Sequence, residues 1–343
     1  GRDLLPGKWN NEVDGQTNLG NNQQRMTKIH ALAFLGKDLL YAASPLMNEE
    51  STGSPNFDKE LCKEAAQAFA DVIKICNDTK AYQLQSWATW TDNFWVWSPS
   101  DMTLPGGTEV IMFPPAYDPG RVKWRMFSTP IAMGGTNGVV ETPTHNFIKN
   151  FGMVNGLPID DPLSGYNEND PWVGRDPRFY KDIIVDGDKM VISNSAGVDQ
   201  YAQLYNGGKH RGGNNGSPTG YYYKTFSPIG YNNWDKPGMN GFQTYPNFLR
   251  LADIYLMYAE AVLQGYESAK ASVPGSGLTA EAAVNIIRNR ATVPDVDQKF
   301  TGTVPDFMEV IIRERAMELA FERNHRWHDL GKWLMSYPKN IHH

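Results

Sequence analysis

Two histidines and two carboxylates near the C-terminus have the residue types and spacing that could bind a metal ion. Glu322, His325, His328 and Asp329 lie within one short segment. On a helix the i, i+3 spacing places both imidazoles on roughly one side, and zinc in proteins takes imidazole and carboxylate ligands. A zinc site is therefore one interpretation of this cluster. The other is that these side chains have a structural role.

Other acidic residues are weaker candidates for chemistry. The run Asp160, Asp161, Glu168 and Asp170 looks like a calcium loop, but it lacks the alternating order and terminal Glu of an EF-hand. No phosphate-binding glycine loop, H-E-x-x-H, C-x-x-C or G-x-S-x-G motif occurs. A glycoside hydrolase needs two carboxylates about 5–5.5 Å or 6.5–9.5 Å apart, and the 38 acidic residues leave any such pair undetermined. We predict no catalytic residue, metal or cofactor, and keep hydrolysis as an alternative.

Aromatic side chains are better candidates, because they form 12% of the chain and include 10 Trp and 16 Tyr. The weakly polar C–H face of a pyranose packs on an indole or phenol ring, while polar side chains bond its hydroxyls. Trp87, Trp90 and Phe94 are spaced three and four apart, which indicates the buried face of a helix. The predicted ligand-binding residues lie in loops or beyond that helix face: Trp95, Trp97, Tyr117, Trp124, Arg125 and Trp234.

Two amphipathic segments predict a helical hairpin over residues 26–76. The first runs from Met26 to Ala43 and is stopped by Pro45, and the second carries small and apolar residues at three-four spacing from Cys62 to Cys76. Small residues at the contact are typical of tetratricopeptide-type helix pairs. The two cysteines would lie about 21 Å apart along one helix, so we expect reduced core residues rather than a disulfide.

Three further amphipathic helices are predicted in the C-terminal bundle, residues 246–335. Thr279 is the expected N-cap of the second helix, and the third begins near Asp306. An unpaired buried charge costs several kcal/mol, so we expect charges near the apolar faces to form ion pairs between helices. These charges are Asp253, Glu260, Arg288, Arg290, Arg313, Arg315 and Arg326. The side of the third helix opposite its apolar face is predicted to be a ladder of charges, Glu309, Arg313, Glu314, Glu318 and Glu322.

The stretch 82–245 joins these two helical parts and is rich in Gly, Pro, Asn and aromatic residues. It predicts long loops that shape a ligand site, with short strands at 109–113, after RDPRF and in GYYYKTF, and a helix at 144–151. The fold class predicted for the chain is therefore mainly α, with tetratricopeptide-like hairpins, long irregular loops and a few short strands. We expect all 343 residues to form a single domain.

Composition excludes some function classes. The net charge is −6, and the 32 Lys and Arg residues are scattered along the chain, which argues against a nucleic-acid surface. No run of eighteen apolar residues occurs, so no membrane-spanning helix is expected.

Three sequence blocks, in the order in which they follow one another along the chain, resemble a known family. RLADIYLMYAEA at 250–261, VNIIRNRA at 284–291 and IIRERAMELAFERNHRWHDLGKW at 311–333 are similar in content and order to the C-terminal signature of the SusD/RagB family. The helix ending LYAASPL, the GLPI turn and the DPRF unit resemble further blocks of that family. Its members are lipid-anchored glycan-binding proteins of the Bacteroidota cell surface, built on tetratricopeptide-like helical pairs.

This resemblance implies capture of an oligosaccharide at the outer-membrane surface and its delivery, unmodified, to a SusC-like TonB-dependent transporter. It also places the Glu322 to Asp329 cluster in a block that is structural in the family. The family's binding aromatics occupy variable loops, so none is transferred to this sequence by motif. Capture of peptides by the same scaffold remains the alternative, because tetratricopeptide grooves suit extended chains.

Members of the family are usually longer at both ends. Their additional N-terminal sequence bears the lipid-anchor cysteine, and a tail follows the last helix. We therefore expect a fragment that lacks both parts, and contact with a membrane only through an N-terminal anchor outside this sequence.

Overall fold

The chain forms two compact units, of which the helical one is assembled from three separated stretches. In the computed structural model, unit 1 comprises residues 1–85, 108–113 and 247–343, and unit 2 comprises 86–107 and 114–246. The structure describes residues 4–17, 25–97, 108–112, 142–193, 199–212, 216–226, 229–230, 232, 234–235, 242–244, 247–322 and 325–334.

The fold is mainly α-helical, as predicted. The described α-helices are, in chain order, α1 (Val13–Gln16), α2 (Lys28–Ala42), α3 (Pro45–Thr52), α4 (Lys59–Thr79), α5 (His145–Ile148), α6 (Pro177–Asp182), α7 (Leu251–Tyr266), α8 (Ala280–Arg290), α9 (Val304–Glu318) and α10 (His325–Lys332). The described strands are β1 (Trp95–Trp97), β2 (Val110–Met112), β3 (Ile183–Ile184), β4 (Tyr222–Tyr223), β5 (Phe242–Thr244) and β6 (Leu249–Arg250).

Helices α2 and α4 form the predicted N-terminal hairpin. Thr27 caps α2 through the backbone N–H of His30, and the Asp58 carboxylate caps α4. A Cβ on Gly36 would lie only 2.7 Å from the Phe69 ring, so the glycine lets the two helices approach closely. Pro45 ends α2 as expected, but it also occupies the first turn of α3 where the sequence predicted a loop, because proline suits the start of a helix.

Helix α7 is the centre of unit 1. It contacts α2, α4, α8 and α9, and 14 of its 16 residues are buried. Gly265 near its end allows close contact with α4, since a Cβ there would lie 3.0 Å from Lys63. The sequence predicted this helix from residue 246, but Leu249 and Arg250 form β6 instead, because their backbone pairs antiparallel with β2.

The strands form only two-stranded antiparallel pairs in the part of the chain that is described. β2 pairs with β6 in unit 1, while β1 pairs with β5 and β3 with β4 in unit 2. Strands at 109–113 and in GYYYKTF were predicted, and β2 and β4 confirm them. The DPRF segment forms helix α6 before β3, because the Asp176 carboxylate caps it and Pro177 lies at its first position.

Arg175 organises much of unit 2. Its guanidinium is buried and donates to the carbonyl oxygens of Ile148, Phe151, Gly152 and Pro171. One side chain therefore holds the chain after α5 against the chain before α6. Such bonds replace a regular sheet in a region of short elements.

The cysteines lie where the sequence placed them. Cys62 and Cys76 are unpaired and buried on the core face of α4, and burial raises the pKa of the Cys76 thiol to about 12. Both behave as small apolar core residues. None of the helices described combines the length and the apolar character needed to cross a bilayer.

Candidate functional site

Among the described residues, two groups of buried charges join several elements of unit 1. In the first, the Arg250 guanidinium lies 2.6 Å from Glu109, 2.7 Å from Glu318 and 2.8 Å from Glu322. Arg290 also contacts Glu109, at 3.1 Å, and Glu318. Among the described residues, three carboxylates thus share two guanidinium groups in a buried site.

Within this group, the carboxyl of Glu322 has a shifted pKa. Burial raises the pKa of its carboxyl to about 7, although Arg250 opposes the shift, while Glu318 and Glu109 add to it through like charge. A raised carboxyl pKa in a cleft would suggest acid catalysis, but here the group is enclosed and bonded to Arg250. It serves the fold.

The second group surrounds Arg315, whose guanidinium donates to Asp253 at 2.8 Å and to Asp329 at 2.7 Å. Burial alone would raise the pKa of Asp253, but Arg315 with other nearby cations outweighs it and holds that pKa below its ordinary value. His325 lies 3.8 Å from Asp253. Burial lowers the His325 pKa to about 4, so the imidazole is neutral at pH 7.

The ion pairs predicted between helices are confirmed in their main members. Asp253 pairs with Arg315, and Arg288 lies 3.4 Å from Glu314. Glu260 accepts from Lys332 at 2.8 Å and from the Trp333 indole at 2.7 Å, partners that the sequence did not suggest. The predicted ladder on α9 is wrong in part, because Glu314, Glu318 and Glu322 are buried acceptors for arginines of other elements.

The zinc interpretation of the C-terminal cluster fails on geometry. Phe321 has a left-handed φ of 62°, and α9 ends at Glu318 before α10 begins at His325. Glu322 therefore does not lie on the helix that carries the histidines. The carboxylates of Glu322 and Asp329 are bound by Arg250 and Arg315. Among the residues described, no three His, Cys, Asp or Glu side chains converge on a possible metal position.

The best-defined candidate for ligand contact is Trp234, which stands on a fixed turn in unit 2. The Asn232 side-chain oxygen accepts from the backbone N–H groups of Trp234 at 3.0 Å and of Asp235 at 2.8 Å. Asp235 in turn accepts from the backbone N–H of Ile192 at 2.8 Å and of Ser193. The backbone that carries the indole is therefore held on both sides.

Exposed apolar side chains flank this turn. The Trp234 residue is 38% exposed, Ile192 60% and Ile229 40%. A Cβ on Gly230 would lie 2.8 Å from Ile192, which places the 229–230 backbone directly against that side chain. We call Trp234, Ile192 and Ile229 the Trp234 patch. Exposed apolar side chains on segments that meet in this way are candidates for a binding surface.

Sequence reasoning identified Trp234 but missed both isoleucines. Ile192 lies about forty residues earlier in the chain, and the Asp235 bonds help to bring it to the turn. The Asn232-x-Trp234-Asp235 pattern was the available signal, because an Asn side chain often caps the backbone two or three residues ahead.

Trp95 and Trp97 lie in β1 rather than in a loop, opposite Thr244 and Phe242 of β5. The Trp95 residue is half-buried, and the role of both as ligand contacts stays a prediction. The other three predicted residues, Tyr117, Trp124 and Arg125, lie outside the described residues. The structure therefore brings Trp95 and Trp97 together on one strand and places Trp234 on a separate turn.

The aromatic residues before β1 were predicted as a helix core face, and two of three are buried. They lie on a 3-10 helix, Trp87–Asn93, and its C-cap, with Trp90 and Phe94 buried and packed edge to face at 4.8 Å between ring centroids. Trp87 is half-buried, and the Lys181 ammonium lies 4.4 Å from its ring centroid. These rings support unit 2 rather than form an open binding surface.

Solved structures with this fold come from SusD-like proteins. One from Bacteroides fragilis is 23% identical, with a TM-score of 0.65, over 97% of this chain and 57% of that protein. Another from the same organism, described as a SusD-like carbohydrate binding protein, is 21% identical with a TM-score of 0.61, over 92% of this chain and 54% of the other. A third, described as solved with xylogluco-oligosaccharide, is 18% identical with a TM-score of 0.55, over 91% of this chain and 52% of its own.

These similarities establish the fold, and the chain spans little more than half the length of the proteins it matches. A comparison with curated proteins finds no match. A sequence profile of the SusD family matches residues 109–342, which is more than half of the chain and includes the three C-terminal blocks. The chain therefore belongs to the SusD family.

Proposed function

We propose that this protein captures an oligosaccharide at the outer-membrane surface, as a lipid-anchored protein, and delivers it unmodified to a SusC-like TonB-dependent transporter. The Trp234 patch is the observation that carries the proposal. An indole presents a flat apolar surface to the C–H face of a sugar, and its fixed backbone lowers the entropy lost on binding. Family membership and two relatives described by carbohydrate binding or a bound oligosaccharide support the ligand class.

Binding without catalysis agrees with the use of the buried carboxylates in unit 1. Glu109, Glu318, Glu322 and Asp253 are all held by arginine side chains inside the helical core. A glycosidase instead needs two carboxylates that face a sugar bond across a cleft. These four carboxylates therefore form ion pairs that hold the elements of unit 1 together.

A glycan panel tests this function. Intrinsic tryptophan fluorescence would be followed during titration with oligosaccharides and peptides, together with the release of reducing ends. We expect a saturable fluorescence change with at least one oligosaccharide and no new reducing ends. A response to peptides alone would favour the peptide alternative, and new reducing ends would favour hydrolysis; either result would contradict the proposal.

Substitutions at Trp234 test whether the Trp234 patch binds the oligosaccharide. Replacing Trp234 with Ala should weaken oligosaccharide binding about tenfold, equivalent to about 1.4 kcal/mol, and Trp234→Phe should retain most of the affinity because a flat ring remains. Calorimetric titration provides the affinities. The matched control is Trp327→Ala, which removes a 72% exposed indole from α10 in unit 1 and should leave binding unchanged.

Stability distinguishes a binding role from a core role. Because Trp234 is partly exposed on a turn, its replacement should lower the melting temperature by no more than a few degrees. Affinity that is unchanged in Trp234→Ala would place the oligosaccharide site elsewhere.

A further inference from the structure

A cavity of about 460 Å³ lies in unit 1 between α4, α7 and the loop that leads into α8. Its volume falls within the range of small-molecule sites in proteins, roughly 300–1,000 Å³. All of its lining residues belong to unit 1, and none belongs to the Trp234 patch. It is therefore a separate candidate site.

The cavity has one polar side and one apolar side. Helix α4 supplies Gln67, Asp71, Lys74 and Asp78, which recur at three and four residues and so share a face. The apolar side includes Ile73, Ile286 and the rings of Tyr255 and Tyr258. This two-sided lining suits a ligand that itself has an apolar face and a polar edge.

The loop beside the cavity is held in place. The Tyr258 hydroxyl donates to the Leu278 carbonyl oxygen at 2.6 Å and lies 3.1 Å from Ser276 Oγ. Ser276 Oγ also donates to the Val273 carbonyl oxygen at 2.9 Å. The wall formed by residues 273–278 is thus pre-formed, which limits the entropy cost of binding.

Hydrogen-bonding capacity remains on the polar side. Gln67 Nε2 donates to one Asp71 carboxylate oxygen at 2.9 Å, and the second oxygen makes no hydrogen bond within the described part of the chain. Tyr255 lines the cavity, and no described residue bonds its hydroxyl. The Lys74 ammonium forms an ion pair with the Asp78 carboxylate at 2.5 Å. The free groups are therefore a carboxylate acceptor and a phenol, with no unpaired cation among the described lining residues.

We propose that this cavity binds a neutral sugar of one or two units, with ring C–H groups on Ile286 and Tyr255 and hydroxyls on Asp71 and Gln67. An anionic ligand is disfavoured, because two carboxylates face the cavity and the one lysine is paired with Asp78. A purely apolar ligand would leave the polar groups of α4 unbonded. The choice of sugar among hydroxyl-rich ligands rests on the proposed function, whereas the preference for a neutral polar ligand rests on the lining.

Isoleucine methyl groups allow one sample to report on both sites. Ile73 and Ile286 line the cavity, while Ile192 and Ile229 belong to the Trp234 patch. Protein labelled with 13C at isoleucine methyls would be titrated with glucose, galactose, mannose, xylose and their 1,4-linked disaccharides, with peaks assigned by Ile→Val variants. We expect at least one sugar to shift the Ile73 and Ile286 peaks saturably, with the same midpoint in Trp234→Ala.

Two variants on α4 decide whether those shifts arise from the cavity. Asp71→Ala should weaken the response of Ile73 and Ile286 about tenfold, the effect of a lost hydrogen bond to a charged group, and should leave the response at Ile192 and Ile229 unchanged. Glu64→Ala is the matched control, because Glu64 is exposed on the same helix and does not line the cavity.

Two results would overturn the inference. They are the absence of any shift at Ile73 and Ile286 with every sugar tested, and an affinity unchanged in Asp71→Ala. Failure of the proposed function would look different: Ile192 and Ile229 would not respond to oligosaccharide, whatever the cavity methyls do.

Discussion

Arg315 is a single side chain on which two helices depend. It lies on α9 and donates to Asp253 of α7 and to Asp329 of α10, and all three groups are buried. A buried pair of this kind contributes little compared with an apolar replacement of the whole group, but loss of one partner leaves the other charge without compensation. The cluster therefore specifies which helices meet more than it adds to the free energy of unfolding.

Replacing Arg315 with Met should lower the free energy of unfolding by about 3–5 kcal/mol, because Asp253 and Asp329 lose their guanidinium while side-chain volume is kept. Urea unfolding followed by circular dichroism measures this. The control is Lys59→Met, which removes an exposed pair with Glu267 and should cost less than about 1 kcal/mol. Equal effects of the two variants would show that the buried cluster is not the stronger one.

The Glu322 carboxyl should make folding stability depend on pH with the opposite sign to that of Asp253. Its pKa rises from 4.5 to about 7 in the folded state, so between these values the native state binds more protons than the unfolded state, and its contribution to stability is lost as the pH rises. Asp253, whose pKa is lowered, loses its contribution as the pH falls below the ordinary Asp range.

Glu322→Gln should therefore gain stability relative to the wild type between about pH 5 and pH 8, because the amide cannot ionise and Arg250 and Arg290 then face two carboxylates. Urea midpoints at four pH values provide the difference. The exposed Glu309→Gln on α9 is the control and should show a constant difference. A constant difference for Glu322→Gln as well would refute this account.

At the scale of single residues, the sequence correctly predicted that buried charges would form ion pairs, but it predicted less well which residues would pair. Charges beside apolar stripes correctly indicated ion pairs, and Asp253 and Arg315 were both identified. Glu318 and Glu322 were misassigned, because a helical wheel shows only spacing within one helix, whereas their guanidinium partner Arg250 lies about seventy residues earlier. Partner identity is a tertiary property.

Among the elements, the α2–α4 pair shows how one residue without a side chain sets a packing distance. Gly36 lies against the ring of Phe69, whose side chain is fully buried. Helices with small residues at the contact approach closely and exclude solvent from a narrow seam. This hairpin was predictable because three-four periodicity is a local property of the sequence.

Replacing Gly36 with Ala should lower the free energy of unfolding by about 1–3 kcal/mol, since the new methyl group overlaps a buried ring. Gly331→Ala in α10 is the matched control, because a Cβ there meets no atom within 4 Å. That substitution should be neutral or stabilising by up to about 1 kcal/mol through helix propensity. Thermal unfolding distinguishes the two, and stabilisation by Gly36→Ala would show that the seam is looser than the structure indicates.

The elements that the sequence mispredicted are short and depend on distant partners. Helix α3 was predicted as a loop, and β6 was predicted as helix. Two residues such as Leu249 and Arg250 carry no periodicity of their own, and their strand conformation follows from pairing with β2. The Trp234 patch is similar, since its indole was predicted and its isoleucines required the fold.

The molecule as a whole combines a helical unit with a large apolar core and a second unit of short elements joined by turns. Local stability follows the density of buried apolar contacts and protected backbone bonds. Among the described residues, helix α7 should therefore be the most protected segment, and the described residues between 142 and 235 should be less protected.

Hydrogen exchange followed by mass spectrometry tests this order. Amides of α7 should exchange most slowly among the described residues, because 14 of its 16 residues are buried. The control peptide is α3, which has one buried residue and should exchange early although it belongs to the same unit. Faster exchange in α7 than in residues 142–235 would contradict this assignment of the core.

The distribution of unit 1 over three stretches of the chain has a consequence during synthesis. The anions of α7, Asp253 and Glu260, leave the ribosome some sixty to seventy residues before their cationic partners, Arg315 and Lys332. Until that last segment emerges, burying α7 would trap two negative charges in a dry environment. The helical core should therefore close only once the segment that carries Arg315 and Lys332 is present, and the earlier hairpin must stay soluble until then.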